Sequence, residues 1–390
     1  MQSRVVTWPP WARLINPIYS SFIHPWAMQE QTFITRPMSL MLDAVRALAA
    51  LVVLVGHAVQ IGIYGGYFPF SIDMQHNAVI VFFVLSGLVI ARAVQQRHTT
   101  LFDYALARAV RIVPTAVLAV AFSAVAAMYG QVIGMAYPWP GAEFANVLLP
   151  LVFLSESIIG SSLVWNPPFW SLCYEVWFYA IFGATMFLKG RVRILSVLLL
   201  TSGAGFKVLL LMPVWLTGVA LAGTTYSKPM SIGAGAFAIS AALFVGFCVS
   251  ANSELMAHVF AGLLGVDTLD LGFSQTALTD LILGLCVASV FLGLSPFASC
   301  SASLLEKTRG PIAWLAGCSF TIYVIHWPLL LVLRGHGLVA GESVLGFAAI
   351  LAGVVAFCGA LASVTERRST ELRAWLIAKR AQRGLSPVLS

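Results

Sequence analysis

The sequence predicts an all-α fold, a polytopic transmembrane bundle of about ten spanning helices. Of its 390 residues, 59% are hydrophobic and only 9% are charged, whereas soluble chains carry about 25% charged residues. Apolar stretches long enough to cross a bilayer recur along the chain, and basic residues stand in short runs between them. Because so few charged side chains cannot cover a water-facing exterior, we expect the outer surface to face lipid.

Ten stretches qualify as spanning helices, because crossing the hydrocarbon core takes about 20 mainly apolar residues. The fifth and sixth are short and meet at a glycine-rich sequence, so a single broken span is the alternative at that point. The predicted spans are 42–62, 76–95, 110–130, 168–188, 192–206, 208–224, 230–250, 278–298, 311–333 and 344–364.

The distribution of Lys and Arg over the loops predicts that both termini are cytoplasmic. With ten spans, nearly all these cations share one side of the membrane, and only Lys207 and Arg334 fall on the other, as the positive-inside rule requires. The chain then divides into a cytoplasmic N-terminal segment (1–41), a transmembrane domain (42–364) and a basic cytoplasmic tail (365–390). The tail is expected to lie on the inner leaflet as an amphipathic segment.

Two loops on the predicted extracytoplasmic side are longer than the others, 131–167 and 251–277. The second carries Glu254, Asp267 and Asp270. We expect these loops to shape an entrance to the bundle, and passive connection of the spans is the alternative.

The net charge of +7 does not indicate a nucleic-acid partner, because membrane topology already accounts for the short basic runs. The six cysteines are scattered, mostly within apolar stretches, without a CxxC pair or Cys/His ligand spacing. We therefore expect buried thiols, with no metal site and no disulfide framework.

Ionisable residues inside the predicted spans mark candidate functional positions, because each costs about 2.5–3.5 kcal/mol at mid-bilayer. Arg46 and His57 lie on the first span, separated by about three helical turns or roughly 16 Å, and therefore point to one face. Glu175 and His326 are expected at a depth similar to that of His57. The full set is Asp43, Arg46, His57, Glu175, Asp280 and His326.

Polar neighbours extend two of these positions into stripes along their helices. Ser171 and Tyr179 flank Glu175 at four-residue spacing, and Ser319 and Tyr323 precede His326 on the same helix. Residues at such spacing share a helix face. The alternative is a hydrogen-bond network that only stabilises helix packing.

Five sequence blocks in a fixed order carry a family resemblance. They are LDAVRALAALVVLVGHA (Leu42–Ala58), FFVLSGLVI (Phe82–Ile90), RAVRIVP (Arg108–Pro114), PPFWSLCYEVWFY (Pro167–Tyr179) and GCSFTIYVIHWP (Gly317–Pro328). Together they resemble acyltransferase family 3, the bacterial integral-membrane O-acyltransferases that modify surface and secreted glycans. The first block contains the family's Arg-x10-His pair as Arg46 and His57.

The resemblance implies an O-acetyltransferase of the bacterial inner membrane. Members take an acyl group, usually acetyl, from cytoplasmic acyl-CoA and place it on a hydroxyl of a carbohydrate such as an exopolysaccharide or lipopolysaccharide. The expected partners are membrane lipids, acyl-CoA and the carbohydrate acceptor. Acyl-CoA is a donor substrate, and no bound cofactor is expected.

The resemblance also suggests a division of labour among the candidate residues. His57 is expected to act as general base, since histidine titrates near neutral pH, and Arg46 to hold the donor. Arg108 and Arg111 are expected at the CoA diphosphate, with ordinary membrane anchoring as the alternative. Glu175 is a third catalytic candidate, which would orient His57 or bind the acceptor.

Three further residues are candidates for the acceptor pocket: Ser171, Tyr323 and His326. Tyr323 and His326 would also suit stabilisation of a developing oxyanion. The main alternative function is a multi-span transporter or flippase for a glycan or small solute, because buried charges and glycine-broken helices also suit solute carriers.

Overall fold

A computed structural model of the chain describes residues 31–70, 74–96, 100–133, 144–158, 165–226 and 230–382. The predicted N-terminal segment up to residue 30, and residues 383–390 of the predicted tail, lie outside the described residues. The structure is 84% helical, which confirms the predicted all-α class. Two short strands, β1 (Gln31–Thr32) and β2 (Thr225–Tyr226), form one antiparallel pair.

The described ranges contain fifteen helices, which are numbered in chain order. They are α1 (Arg36–Gln60), α2 (Met74–Gln96), α3 (Leu101–Val132), α4 (Phe144–Leu151), α5 (Trp170–Phe187), α6 (Gly190–Ala222), α7 (Ile232–Ser250), α8 (Ser253–Leu264), α9 (Thr268–Leu271), α10 (Ala277–Cys300), α11 (Ala302–Lys307), α12 (Arg309–Ala316), α13 (Ser319–Gly335), α14 (Val344–Val364) and α15 (Ser369–Gln382). Short 3₁₀ turns at Pro167–Phe169, Gly272–Ser274 and Glu366–Arg368 precede α5, α10 and α15.

Among the described residues, seven helices are long and apolar enough to cross a membrane. The number rises to eight if α12 and α13, which are bent by 52° at their junction, count as one span. The fourth predicted span corresponds to α5, which is not one of these helices, since Glu175 and several polar aromatic residues lower its hydropathy. The protein is therefore a multi-pass membrane protein, whereas ten spans and cytoplasmic termini are not confirmed and stay predictions.

The fifth and sixth predicted spans correspond to the two helical segments of α6, which meet at a kink. Its backbone leaves the helical region at Gly205, with φ 81° and ψ 169°. This positive φ is readily adopted only by glycine. Gly205 packs against Ile158, and two residues later the Lys207 carbonyl accepts a hydrogen bond from Ser274 at 2.8 Å. The glycine-rich sequence thus produces a break within one element.

The first helix, α1, packs against α2, α10, α12 and α13. Thr35 caps its N-terminus by accepting a hydrogen bond from the Met38 amide at 3.4 Å, and Pro37 occupies the first turn. A helix face that packs against other helices keeps polar side chains away from lipid. This position explains how α1 tolerates both Arg46 and His57.

Helices α2 and α6 are in backbone contact where two glycines face each other. A Cβ placed on Gly87 would overlap the Trp215 carbonyl oxygen, and a Cβ on Gly218 would overlap the Val84 carbonyl oxygen. Small residues allow such close approach between membrane helices, and dispersion contacts then stabilise the pair. The packing fixes α2 beside the cavity described below.

We expect Gly218→Ala to destabilise the folded bundle by about 1–3 kcal/mol, because the added methyl group must push α2 and α6 apart. The measurement is thermal unfolding of the purified protein in detergent, in which the variant should show a lower Tm. Gly353→Ala in α14 is the matched control, since nothing lies within 4 Å of its added Cβ. Equal Tm values for the two variants would contradict the close contact.

Candidate active site

A partly open cavity of about 90 Å³ is lined by residues from α1, α2, α3, α5 and α13. It brings together six residues that were predicted from separate sequence blocks. We call it the arginine cavity, after the three guanidinium groups in its wall. The predicted residues that line it are Arg46, Arg108, Arg111, Ser171, Glu175 and Tyr323. Ser86, Tyr179 and Ser319 also line it.

Arginines dominate the charge of this cavity. Arg46 is largely buried, with 16% of its side chain exposed, and forms an ion pair with Asp43 at 3.2 Å. The Nε atom of Arg108 is buried without a hydrogen-bond partner among the described residues. Guanidinium groups with unused donors bind phosphate and carboxylate oxygens well. The arginine cavity is therefore suited to an anionic ligand.

Glu366 is a buried carboxylate near the arginine cavity that the sequence did not single out. It is 8% exposed and accepts hydrogen bonds from the Thr321 amide at 3.1 Å and the Thr321 hydroxyl at 3.2 Å. It also interacts electrostatically with Arg111 and Arg46. Its position after the last predicted span, followed by two arginines, made it resemble part of a solvated tail.

Glu175 is held in the cavity wall by a chain of hydrogen bonds. Tyr179 lies one turn along α5 and donates its hydroxyl hydrogen to the Glu175 carboxylate. Because that hydrogen is used, Ser86 must donate to the Tyr179 oxygen, at 2.9 Å, and Trp215 donates to Ser86 at 3.2 Å. Two members of the predicted polar stripe on α5, Glu175 and Tyr179, are thus in direct contact, and this contact fixes the orientation of the Glu175 carboxylate.

Ser171 and Tyr323, two predicted acceptor-pocket residues, hydrogen-bond to each other. Their hydroxyl oxygens are 2.6 Å apart, and the Tyr323 hydroxyl donates to the Pro168 carbonyl at 2.9 Å. Ser171 is therefore the donor within the pair. Because the Tyr323 hydrogen is directed to a backbone carbonyl, this arrangement disfavours the predicted use of Tyr323 as an oxyanion donor.

His57 on α1 forms a hydrogen-bonded pair with His326 on α13, which lies one turn beyond Tyr323. Nδ1 of His57 lies 2.8 Å from Nε2 of His326, and the two rings are within 9° of parallel. His326 is fully buried, and the edge of Trp327 closes against His57 at 5.0 Å between centroids. Neither histidine lines the arginine cavity. The sequence predicted both residues at one depth but did not predict this direct contact.

Backbone contacts fix which nitrogens of the histidine pair carry hydrogen. Nδ1 of His326 lies 2.9 Å from the Ile322 carbonyl, which can only accept, so this nitrogen is protonated. In the neutral ring, Nε2 of His326 is then an acceptor, and His57 donates to it through Nδ1. This leaves the lone pair of His57 on Nε2, where no described residue forms a hydrogen bond. His326, and not Glu175, is thus the partner that orients His57.

The helix bundle, the arginine cavity and the oriented histidine pair define a multi-pass membrane protein with a polar intramembrane site. A family model described as an acyltransferase domain matches residues 40–363, nearly the whole chain. The chain therefore belongs to acyltransferase family 3 and is a membrane acyltransferase. Comparison with curated proteins finds no match, and comparison with solved structures finds none either.

Proposed function

We propose that this acyltransferase transfers an acetyl group from acetyl-CoA to a hydroxyl of a cell-surface or secreted carbohydrate. The single observation that carries the proposal is the histidine pair, because its member His57 lies on the helix that also bears Arg46. One helix thereby connects an arginine-lined cavity with a histidine whose Nε2 lone pair is free. We place the enzyme in the bacterial inner membrane, with the donor entering from the cytoplasm.

The donor end of the site is the arginine cavity. Coenzyme A carries several phosphate groups, and charge-assisted hydrogen bonds to guanidinium groups are among the strongest available contacts. Arg108 and Arg111, on one face of α3, would hold the diphosphate. Arg46 would hold the donor nearer to the reacting thioester. The unpartnered Nε of Arg108 supports this assignment more than simple membrane anchoring does.

The reaction requires one proton transfer in each direction. Nε2 of His57 accepts the hydroxyl hydrogen while the acceptor oxygen attacks the thioester carbonyl carbon. The resulting tetrahedral intermediate collapses, the carbon–sulfur bond breaks, and the coenzyme A thiolate takes the proton from the His57 imidazolium. An acetyl-histidine intermediate is the less favoured variant, because the acceptor would then have to attack in a second step.

His326 would act as a positioning residue for His57. Its Nε2 accepts from Nδ1 of His57 and keeps the lone pair of His57 on Nε2, as the carboxylate does in a Ser-His-Asp triad. When His57 becomes an imidazolium, the same hydrogen bond stabilises the added charge. Glu175, Ser171 and Tyr323 would line the space in which acetyl group and acceptor meet.

The proposed function is tested by incubating the purified protein in nanodiscs with labelled acetyl-CoA and a panel of bacterial oligosaccharides. We expect the label to appear on a saccharide as an alkali-labile ester, dependent on both substrates. Label that stays in acetyl-CoA and free acetate with every saccharide would contradict carbohydrate O-acetylation. Transfer from longer acyl-CoA donors but not from acetyl-CoA would contradict the acetyl assignment alone.

We expect His326→Leu to lower kcat by about 10- to 100-fold, the range found when the partner that orients a functional histidine is removed. His326→Gln should retain most of the activity, because its amide oxygen can still accept from Nδ1 of His57. The measurement is the steady-state rate of acetyl transfer with both substrates saturating. Equal losses in the two variants would show that His326 has only a packing role.

A further inference from the structure

A second cavity, of about 600 Å³ and open on one side, lies where α2, α8 and α10 meet. It is lined by none of the residues assigned above to the donor or to the reaction. The residues that matter for its chemistry are His76, Glu254, Phe273, Thr276, Thr279 and Asp280. Glu254 and Phe273 belong to the loop region 251–277, which the sequence predicted to shape an entrance to the bundle.

The Asp280 carboxylate is deeply buried in the wall of this cavity, with 1% of the residue exposed. Its two oxygens lie 3.0 and 3.1 Å from Nε2 of His76, and the Thr276 hydroxyl donates to one of them at 2.9 Å. A carboxylate has about four lone-pair sites, so these contacts leave it able to accept further hydrogen bonds. Holding such a charge within a membrane bundle is costly and usually marks a functional position.

Thr279 supplies an independent indication of a ligand. It lines the same cavity, is 1% exposed, and its hydroxyl has no hydrogen-bond partner in the part of the chain that the structure describes. Buried polar groups in native proteins are nearly always paired, and each exception requires an explanation. A bound molecule with hydroxyl groups would satisfy Thr279 and Asp280 together.

Aromatic rings add a flat apolar surface to the cavity wall. Phe273 lines the cavity and stacks on Trp170 with 4.7 Å between centroids, and Trp170 lies nearly parallel to His76 at 6.0 Å. Such a stack holds ring orientations fixed. Fixed aromatic faces beside hydroxyl-binding groups suit pyranose rings, which have apolar faces and polar edges. Trp170 directly precedes Ser171, so the stack also adjoins the arginine cavity.

The charges of the two cavities are opposite in kind. The described lining of the second cavity contains Glu254 and Asp280 and no Lys or Arg, although Lys207 lies close behind Gly272. The arginine cavity contains three guanidinium groups. The charges therefore favour a polyanionic coenzyme at the arginine cavity and disfavour it at the second cavity, whose lining suits an uncharged polyol.

The second cavity also adjoins the helix turn that carries His57. Gln75 packs against Gly56 and donates to Gln60 at 3.3 Å, and His76 is the next residue along α2. The first turn of α2 thus separates the second cavity from the histidine pair. A saccharide bound beside His76 would therefore lie near the turn of α2 that packs against the residue preceding His57.

We propose that the second cavity binds the saccharide acceptor. The Asp280 carboxylate accepts hydrogen bonds from sugar hydroxyls, and the Thr279 hydroxyl donates one to a sugar oxygen. The proposal rests on the proposed function, since it names the binding site for the acceptor of that reaction. It divides the protein into an arginine cavity for the nucleotide donor and a separate acidic cavity for the carbohydrate.

The experiment measures equilibrium binding, without turnover, of two kinds of probe to the full protein in nanodiscs. Coenzyme A probes the donor cavity, and cellotetraose, maltotetraose and chitotetraose probe the second cavity. We expect Thr279→Val to raise the saccharide Kd by about three- to tenfold, and Asp280→Asn by more than about tenfold. The Kd of coenzyme A should stay within about twofold in both variants. Arg46→Ala should show the reverse pattern.

Thr279→Val is expected to leave the protein folded. The Thr279 hydroxyl has no partner among the described residues, so the substitution removes no described intramolecular hydrogen bond. Asp270→Asn is the matched control, since Asp270 is an exposed carboxylate on the neighbouring α9 and does not line the cavity. A saccharide Kd that is unchanged in both cavity variants, or no binding of any of the three saccharides, would overturn the proposal.

The binding results are separable from the proposed activity. Saccharide binding that depends on Asp280 in a protein that transfers no acetyl group would contradict the proposed function and support the second cavity as a saccharide site. Acetyl transfer to a saccharide whose KM is unaffected by Thr279→Val and Asp280→Asn would support the function and contradict the assignment of this cavity.

Discussion

Replacing His57 with Ala is expected to lower kcat/KM for acetyl transfer by about 10²- to 10⁴-fold, the usual contribution of a general base. The substitution removes the Nε2 lone pair that accepts the hydroxyl hydrogen. The protein should still insert and accumulate, since His57 makes only one described side-chain hydrogen bond, to His326. The measurement is initial-rate kinetics with labelled acetyl-CoA at known concentrations of folded protein.

A second variant separates the loss of the base from the loss of packing. His57→Asn can place an amide donor near the position of Nδ1 and keep the hydrogen bond to His326, but it has no group at Nε2. We expect it to be as inactive as His57→Ala. His336→Ala is the matched control, because His336 is exposed and its side chain hydrogen-bonds only to Tyr129 among the described residues. Substantial activity in His57→Asn would eliminate the general-base assignment.

Replacing Arg46 with Ala is expected to lower kcat/KM by about 10²- to 10³-fold, mainly through a higher KM for acetyl-CoA. Truncating one partner of a buried, hydrogen-bonded charge pair costs about 2–5 kcal/mol. Arg46 is 16% exposed and lines the arginine cavity, so water replaces its contact with the donor only in part. Loss of the guanidinium also leaves Asp43 without its ion-pair partner.

Two further variants test whether the effect of Arg46→Ala comes from the guanidinium group at this position. Arg46→Lys keeps the charge but not the two-pronged donor geometry, so we expect an intermediate KM. Arg36→Ala, on the same helix, removes an exposed ion pair with Glu306, and such pairs contribute about 0–1 kcal/mol. It should leave the kinetics unchanged. An Arg46→Ala enzyme with an unchanged KM for acetyl-CoA would place the donor elsewhere.

Much of the fold was predictable because hydropathy is a local property of the sequence. Predicted spans such as 76–95, 230–250 and 344–364 coincide closely with α2, α7 and α14. The break inside α6 was visible as a glycine-rich sequence, but the sequence did not say whether it separated two helices. That outcome depends on the φ angle of Gly205 and on its packing against Ile158, which are tertiary features.

The site was predictable as a set of residues but not as a set of contacts. Spacing along one helix placed Arg46 and His57 on a common face, and the structure directs that face into the bundle. Contacts between helices depend on how each helix is rotated about its axis, which sequence spacing does not reveal. For this reason Glu175 was an obvious partner for His57, whereas the structure pairs His57 with His326 and Glu175 with Tyr179.

The second cavity lay outside sequence reasoning for a related reason. Asp280 was noticed as a buried charge, but its partner His76 lies 204 residues away in the sequence. His76 stands at the start of a predicted span, where a polar residue requires no explanation. Thr279 became informative only when its hydroxyl was seen to be buried without a described partner.

The most direct test of the account is single-turnover transfer of labelled acetyl from acetyl-CoA to an oligosaccharide, with wild type and His57→Asn compared side by side. Both proteins should bind coenzyme A with similar Kd, because His57 does not line the arginine cavity. With His57 as general base, we expect rapid ester formation on the saccharide in wild type and none above background in His57→Asn. Equal ester formation in the two proteins, or label passing to no saccharide hydroxyl in wild type, would contradict it.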